Sequence, residues 1–147
     1  MGNKMSNNQQ HVTIVLNVEN QEIKINLSQH YGLLSESTIN QLTDKDLDTL
    51  VAAAQGYTVH GTEVECGYTQ WRKPDGSILR YVYQPSSNAS QAYQIIMENN
   101  ISIAPGYGDN WEATIQAGKF EKKYSARGPN FLLAAMRVFV VAKLLDK

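Results

Sequence analysis

Residues 131–145 read FLLAAMRVFVVAKLL, and within this stretch only Arg137 and Lys143 are polar. A helix that is apolar on almost every side must be covered over most of its surface. In a chain of 147 residues, such a helix lies either at the centre of the fold or in an interface between subunits. Gly128-Pro129 comes directly before the stretch, and proline suits the first turn of a helix. The sequence therefore predicts a buried C-terminal helix and leaves both placements open.

Upstream of this helix, patterns typical of strands and of helices alternate along the chain. A strand broken by Gly61 and Gly67 is predicted over residues 57–71. A returning strand over 77–84 follows a Lys-Pro-Asp-Gly turn, and a short strand is predicted at 101–104. Hairpins are predicted over residues 11–27 and over residues 111–126, the second turning at Ala117-Gly118.

Two further helices are predicted from their apolar stripes and capping residues. The first runs from Thr43 to Gly56, and the second from Asn88, with Gln91 in the capping-box position, to Asn99-Asn100. The expected stripes are Leu47, Leu50, Val51 and Ala54 on the first helix and Ala89, Ala92, Tyr93 and Ile96 on the second.

Together these elements predict an α+β fold with antiparallel hairpins packed on about three helices. Residues 11–147 are expected to form one domain, since the sequence contains neither an internal repeat nor a second set of elements. Residues 1–10 are polar and are expected to form a disordered tail.

Charge and hydropathy argue against a nucleic-acid-binding, membrane or secreted protein. The formal net charge is −1, whereas proteins that bind duplex nucleic acid usually carry a basic excess. No run of apolar residues is long enough to predict a membrane span, and the N-terminus lacks the apolar region of a signal peptide. A single cysteine, Cys66, allows no internal disulfide. We therefore expect a cytoplasmic protein that binds neither membranes nor duplex nucleic acid.

The residues offer no constellation for catalysis or metal binding. His11, His30 and His60 have no partners at the spacing that zinc ligands require. Cys66 lacks a neighbouring base, and the acidic residues at 44, 46 and 48 are most simply the solvated start of a helix. We therefore expect no catalytic residue, no metal, no cofactor and no enzymatic activity.

Arg137 is the first candidate for ligand binding. Its neighbours one helical turn away are apolar, and an unpaired buried charge is very costly, so its guanidinium must find a partner. The planar fork of N–H donors suits a phosphate. The alternative is a structural arginine bonded within the protein, and the sequence leaves both interpretations open.

Five other residues complete the candidate set. Arg127 precedes the last helix, whose N-terminus itself favours an anion, and Arg80 lies between aromatic residues. Tyr107 and Trp111 adjoin a glycine-containing loop where a ring could stack on a base, and Asn100 could hydrogen-bond a base edge. Each has a plainer role in surface solvation, packing or helix capping. As a set they suit a small phosphorylated ligand that contains a base.

The C-terminal two thirds of the chain resembles a family of phage proteins typified by lambda NinX. The matching residues are Ser90-x-Ala92-x-x-Ile95-Ile96-x-Glu98-Asn99-x-Ile101-Ser102, then Trp111-Glu112-Ala113, then Pro129-x-x-Leu132-x-Ala134-Ala135-Met136. With the N-terminal hairpin and helix, the layout is similar to a branch of phage proteins that counter the Thoeris defence.

That resemblance implies a non-enzymatic function. Members of the branch sequester the cyclic ADP-ribose isomer made by bacterial TIR-domain proteins and do not cleave it. They assemble as dimers or as hexamers built from dimers, and some hold the cyclic oligonucleotides of CBASS defence, such as cyclic trinucleotides, at a separate site. The resemblance places this chain, encoded by a phage or prophage, in the host bacterial cytoplasm.

The family's ligand contacts come from arginines, an aromatic residue and an asparagine. Arg137 matches an arginine of the C-terminal helix, and Arg80 matches one on a central strand. Many relatives carry a second helix arginine where this chain has Leu133, and Arg127 or Lys123 could replace that contact. The alternative function is inhibition of a host protein by direct binding. A degrading enzyme is the third hypothesis, and it lacks candidate residues.

Overall fold

A computed structural model of the chain describes residues 13–18, 21–26, 36–40, 42, 44–62, 69–117 and 122–144. It contains the strands β1 (Thr13–Val18), β2 (Gln21–Asn26), β3 (Thr58–Thr62), β4 (Thr69–Arg72), β5 (Ser102–Pro105), β6 (Trp111–Ala117) and β7 (Lys122–Gly128). Its helices are α1 (Glu36–Ile39), α2 (Asp44–Ala54), α3 (Ala89–Glu98) and α4 (Phe131–Leu144). The predicted α+β class is confirmed. Residues 1–10, Thr43 and Cys66 lie outside the described residues.

All strand pairing among the described residues is antiparallel. β1 pairs with β2, β3 pairs with β4, and β5, β6 and β7 form a three-stranded sheet in that order. The predicted hairpins β1–β2 and β6–β7 are thus confirmed. In β7, buried Tyr124, Ala126 and Gly128 alternate with exposed residues, so one face of this sheet is apolar and the other polar.

α4 lies at the centre of the described fold. It packs on β5, β6 and β7 on one side, and α1, α2 and α3 also contact it. Every α4 residue from Leu133 to Ala142 is buried. The choice left open by the sequence is thereby settled, because elements of the same chain cover the helix. Its apolar surface no longer argues for an oligomer.

Asn130, and not Pro129, caps the N-terminus of α4. The Asn130 side-chain oxygen accepts from the Leu133 N–H (2.9 Å), and its carbonyl accepts from the Ala134 N–H (3.1 Å). Pro129 therefore precedes the cap, so the expectation that it lies in the first turn was wrong. The asparagine side chain accepts a hydrogen bond from a backbone N–H group of the first turn, which would otherwise lack a partner. A proline would only have removed one such N–H group.

The segment after β4 differs from the predicted strand over residues 77–84. Arg72 and Ile78 form a single isolated bridge, and no strand follows within residues 79–84. Instead β4 pairs with β3, with a register irregularity between Val59 and Gly61. The broken strand predicted over residues 57–71 corresponds to the two short strands β3 and β4.

α3 is tied to that irregular segment, and its buried face differs from the expected stripe. Gln91 bonds outward: its oxygen accepts from the Gln84 N–H (2.6 Å) and its amide nitrogen donates to the Val82 carbonyl (3.0 Å). The predicted cap is confirmed, since Asn88 accepts from the Gln91 N–H (3.1 Å). Ala92 and Ile95 are buried, whereas Tyr93 is 64% exposed. The interior is thus covered by a helix face rotated from the predicted one.

No helix among these described segments has both the length and the apolarity needed to cross a membrane.

Gly128 marks the closest approach between β7 and α4. A Cβ atom at this position would lie 2.9 Å from the Ala134 backbone nitrogen and 3.1 Å from Leu133 Cβ. We expect Gly128→Ala to lower the free energy of unfolding by about 1–3 kcal/mol, because a crowded core must shift its backbone. Urea denaturation measures the change. Gly61→Ala, where nothing lies within 4 Å of the added Cβ, is the control, and equal stabilities for the two variants would contradict the packing described.

Candidate functional site

Arg137 extends from the centre of α4 and joins two separate parts of the chain. Its Nη1 donates to the Arg127 carbonyl (2.7 Å), at the end of β7. Its Nη2 and Nε both donate to the Leu42 carbonyl (2.9 and 3.3 Å), between α1 and α2. Arg137 is only 7% exposed. The structural role that the sequence left open is therefore present.

Arg137 keeps its positive charge, although the groups that it bonds are neutral carbonyls. Burial lowers its pKa from the usual value, but a guanidinium titrates so far above neutrality that it stays charged at pH 7. The bonds use one N–H on each nitrogen, and each terminal nitrogen carries a second N–H. Arg137 therefore combines a fixed position, a positive charge and, on each terminal nitrogen, one N–H that makes no bond to the residues described.

Arg137 lines a cavity of about 420 Å³ beside the edge strand β7. We call it the arginine cavity. Its other polar lining residues are Asn40, Asn110, Glu112, Ser125 and Arg127. Ser125 and Arg127 belong to the exposed, alternating face of β7, which explains why β7 brings both side chains to the cavity.

The described lining residues of the arginine cavity carry a net positive charge. Arg127 and Arg137 contribute two cations, and Glu112 contributes one carboxylate. Glu112 is the direct cross-strand partner of Arg127 in the β6–β7 register, and opposite charges at paired positions attract. Amide and hydroxyl groups complete the lining. This combination of donors suits a phosphorylated ligand.

Asn100 lies at a different cavity. It ends α3 in the left-handed conformation, with φ +52°, which confirms the predicted role in ending the helix. With Thr114 and Lys123 it lines a cavity of about 500 Å³ that is not lined by Arg137. The structure therefore separates Asn100 from the two arginines.

The aromatic candidates are also separate from the arginine cavity lining. The Trp111 ring packs edge-on against Phe131, with centroids 6.1 Å apart, so it joins the start of β6 to the start of α4. Tyr107 is 86% exposed in the loop between β5 and β6. Arg80 is exposed in the irregular segment after β4. For these residues ligand contact stays a prediction.

Sequence reasoning missed four polar residues of the arginine cavity: Asn40, Asn110, Glu112 and Ser125. For Ser125 and Glu112 a signal existed, because alternation in β6 and β7 places each of them on the face opposite the apolar residues. Asn40 and Asn110 lie in connections, and only the folded chain brings them to β7.

Within residues 36–40, 42, 44–62, 69–117 and 122–144, no group of three His, Cys, Asp or Glu residues is placed to hold a metal ion. His60 is exposed, and its Nδ1 lies 2.9 Å from Arg72 Nη2.

A model of the family described as "Bacteriophage P22, NinX" matches residues 38–143. The matched range includes α2, α3, the three-stranded sheet and α4 as far as Lys143, and with them every described lining residue of the arginine cavity. No curated protein matches the chain.

Removal of the Arg137 side chain tests its structural role. Arg137→Ala leaves the Leu42 and Arg127 carbonyls without their charged donor, so we expect the free energy of unfolding to fall by about 3 kcal/mol. Denaturant titration gives the value. Lys143→Ala, an exposed position on the same helix, should change it by less than about 0.5 kcal/mol. A stable Arg137→Ala variant would show that these bonds contribute little.

Proposed function

Because the chain belongs to the bacteriophage P22 NinX family, we propose that it is a phage anti-defence protein that sequesters a cyclic nucleotide signal. The proposed ligand is a cyclic ADP-ribose isomer produced by TIR-domain proteins of the Thoeris system. The protein would bind this signal in the host bacterial cytoplasm and release it unchanged. The observation that carries the proposal is the arginine cavity.

The dimensions and charge of this cavity support such a ligand. Its volume of about 420 Å³ falls within the usual range of small-molecule sites. A cyclic ADP-ribose isomer carries a diphosphate, and charge-assisted hydrogen bonds from guanidinium groups to phosphate oxygens are about twice as strong as neutral ones. Arg137 is already held by two backbone carbonyls, so little side-chain entropy is lost when it binds an anion.

Sequestration without cleavage is consistent with the lining residues. Among the described residues, the cavity lining contains one carboxylate, Glu112, and neither histidine nor cysteine. Glu112 stands opposite Arg127 in the β6–β7 register, and these lining residues supply no second carboxylate for paired acid–base catalysis. We therefore propose binding as the whole function of this cavity.

A second function, direct inhibition of a host protein, is favoured by a different surface. Tyr93 and Met97 lie four residues apart on α3 and are 64% and 57% exposed, so they share one helix face. Large exposed apolar side chains are common in protein interfaces.

We propose in addition that the protein which sequesters the cyclic nucleotide signal is a homo-oligomer, either a dimer or a hexamer. The interfaces of such an oligomer must use surfaces other than residues 133–142 of α4, which are buried within one protomer.

Native mass spectrometry tests the sequestration proposal. Addition of the TIR-generated cyclic ADP-ribose isomer should shift the protein by about one ligand mass per protomer, and heat denaturation should return the ligand intact. Cyclic trinucleotides are the second probe, since a separate site for them is part of the expected family behaviour. Recovery of a cleaved product would contradict sequestration, and a bare protein with a host partner in a pull-down would favour inhibition of a host protein.

A substitution at Arg127 tests ligand binding without affecting the fold. Its side chain is exposed and lines the cavity, whereas its structural bond to Arg137 uses only its backbone carbonyl. We expect Arg127→Ala to weaken binding of the cyclic ADP-ribose isomer about tenfold or more, because a charge-assisted bond is lost, while the stability is kept. Calorimetric titration measures both variants, with Lys143→Ala as the matched loss of one positive charge. Equal affinities for the two variants would remove the arginine cavity from the proposal.

A further inference from the structure

Another cavity, of about 360 Å³, is lined by three tyrosines, Tyr57, Tyr81 and Tyr83. We call it the tyrosine cavity. Among the described residues, the two cavities have no lining residue in common. The opposite wall of the tyrosine cavity is α3, and Lys73 also lines it. The proposed function uses none of these side chains.

The tyrosine wall is held in place before any ligand arrives. The Tyr57 and Tyr83 rings pack with centroids 5.5 Å apart and planes tilted by 49°. The Gln55 amide nitrogen donates to the Tyr83 hydroxyl (2.5 Å), and burial raises the pKa of Tyr83. The bonds from Gln91 to residues 82 and 84 fix the segment that carries Tyr83 against α3. Tyr81, by contrast, is 49% exposed, so its ring is free to contact a ligand.

The wall formed by α3 offers hydrogen-bond acceptors. Ser90, Gln94 and Glu98 follow one another at four-residue spacing and line the cavity together, as expected for one face of a helix. The Gln94 amide nitrogen donates to Glu98 Oε2 (2.9 Å), which orients the carboxylate. Glu98 Oε1 and the Gln94 amide oxygen have no bonding partner among the residues described, so both remain available as acceptors.

These groups define the chemistry of a suitable ligand. Tyrosine rings favour a flat ring, which stacks on them. The acceptors Glu98 and Gln94 favour a ring edge that carries N–H donors, and Lys73 favours a ligand with an anionic group. Guanine presents two adjacent donors, N1–H and N2–H, which match the two oxygens of a carboxylate. Adenine instead presents an acceptor, N1, beside its amino group, and that acceptor would face Glu98 unfavourably.

We propose that the tyrosine cavity binds a guanine nucleotide, with the base between the tyrosines and α3, its donor edge on Glu98 and its phosphate on Lys73. The site is distinct from the proposed signal site and does not depend on it.

Calorimetric titration of the full chain with guanosine 5′-monophosphate tests this proposal. We expect binding of one nucleotide per protomer, about tenfold or more tighter than that of adenosine 5′-monophosphate, as for a well-placed pair of base contacts. Absence of guanosine monophosphate binding at millimolar concentration, or equal affinity for the two nucleotides, would overturn the proposal.

Two exposed residues allow variants that should keep the fold. Tyr81→Ala should weaken guanosine monophosphate binding about tenfold through loss of stacking, and Glu98→Gln should remove the preference for guanine. Tyr93→Ala, an exposed tyrosine on α3 outside the cavity lining, is the control and should bind as the unmodified protein does. Unchanged guanine preference in Glu98→Gln would overturn the assignment. Arg127→Ala should bind guanosine monophosphate normally, so failure of one site is distinguishable from failure of the other.

Discussion

The burial of one guanidinium within the most apolar helix is the constraint on which the described fold depends. Arg137 lies on α4, and its hydrogen bonds reach the Leu42 carbonyl on one side and the Arg127 carbonyl at the edge of the sheet on the other. A buried charge without partners would be very costly, so the chain can bury α4 only when both of these segments are in place. The packing of α4 and the position of the edge strand β7 are thus coupled through one side chain.

The same coupling produces the candidate site. Backbone carbonyls hold Arg137, and no carboxylate of the described residues bonds to it, so its charge is positioned without being neutralised by them. β7 is an edge strand, and its outward residues Ser125 and Arg127 meet Arg137 in the arginine cavity. A structural role and a ligand-binding role are therefore compatible for this arginine. The structural role explains why Arg137→Ala is a poor test of binding. Arg127 gives a better test, because its side chain makes no hydrogen bond to the residues described, and only its backbone carbonyl bonds Arg137.

The sequence predicted those parts of the fold that local patterns determine. Period-two alternation gave β1–β2 and β6–β7, and the apolar run gave α4, because burial of one face or of all faces leaves a direct signature. Prediction from the sequence failed where contacts between distant segments determine the local structure. Residues 79–84 read as a strand, yet Gln91 holds them to α3 in an irregular form. Arg127 and Arg137 were identified by residue type, but Asn40 and Asn110 reach the same cavity only through the tertiary fold.

Nitrogen-15 NMR of the arginine side chains would test the central claim most directly. The Nε–H resonances of Arg127 and Arg137 would be followed during titration with the TIR-generated cyclic ADP-ribose isomer. Both resonances should shift together and saturate at one ligand per protomer, because in the proposed binding mode both guanidinium groups contact the same diphosphate. Saturable binding that leaves both resonances unchanged would place the ligand elsewhere and contradict the account.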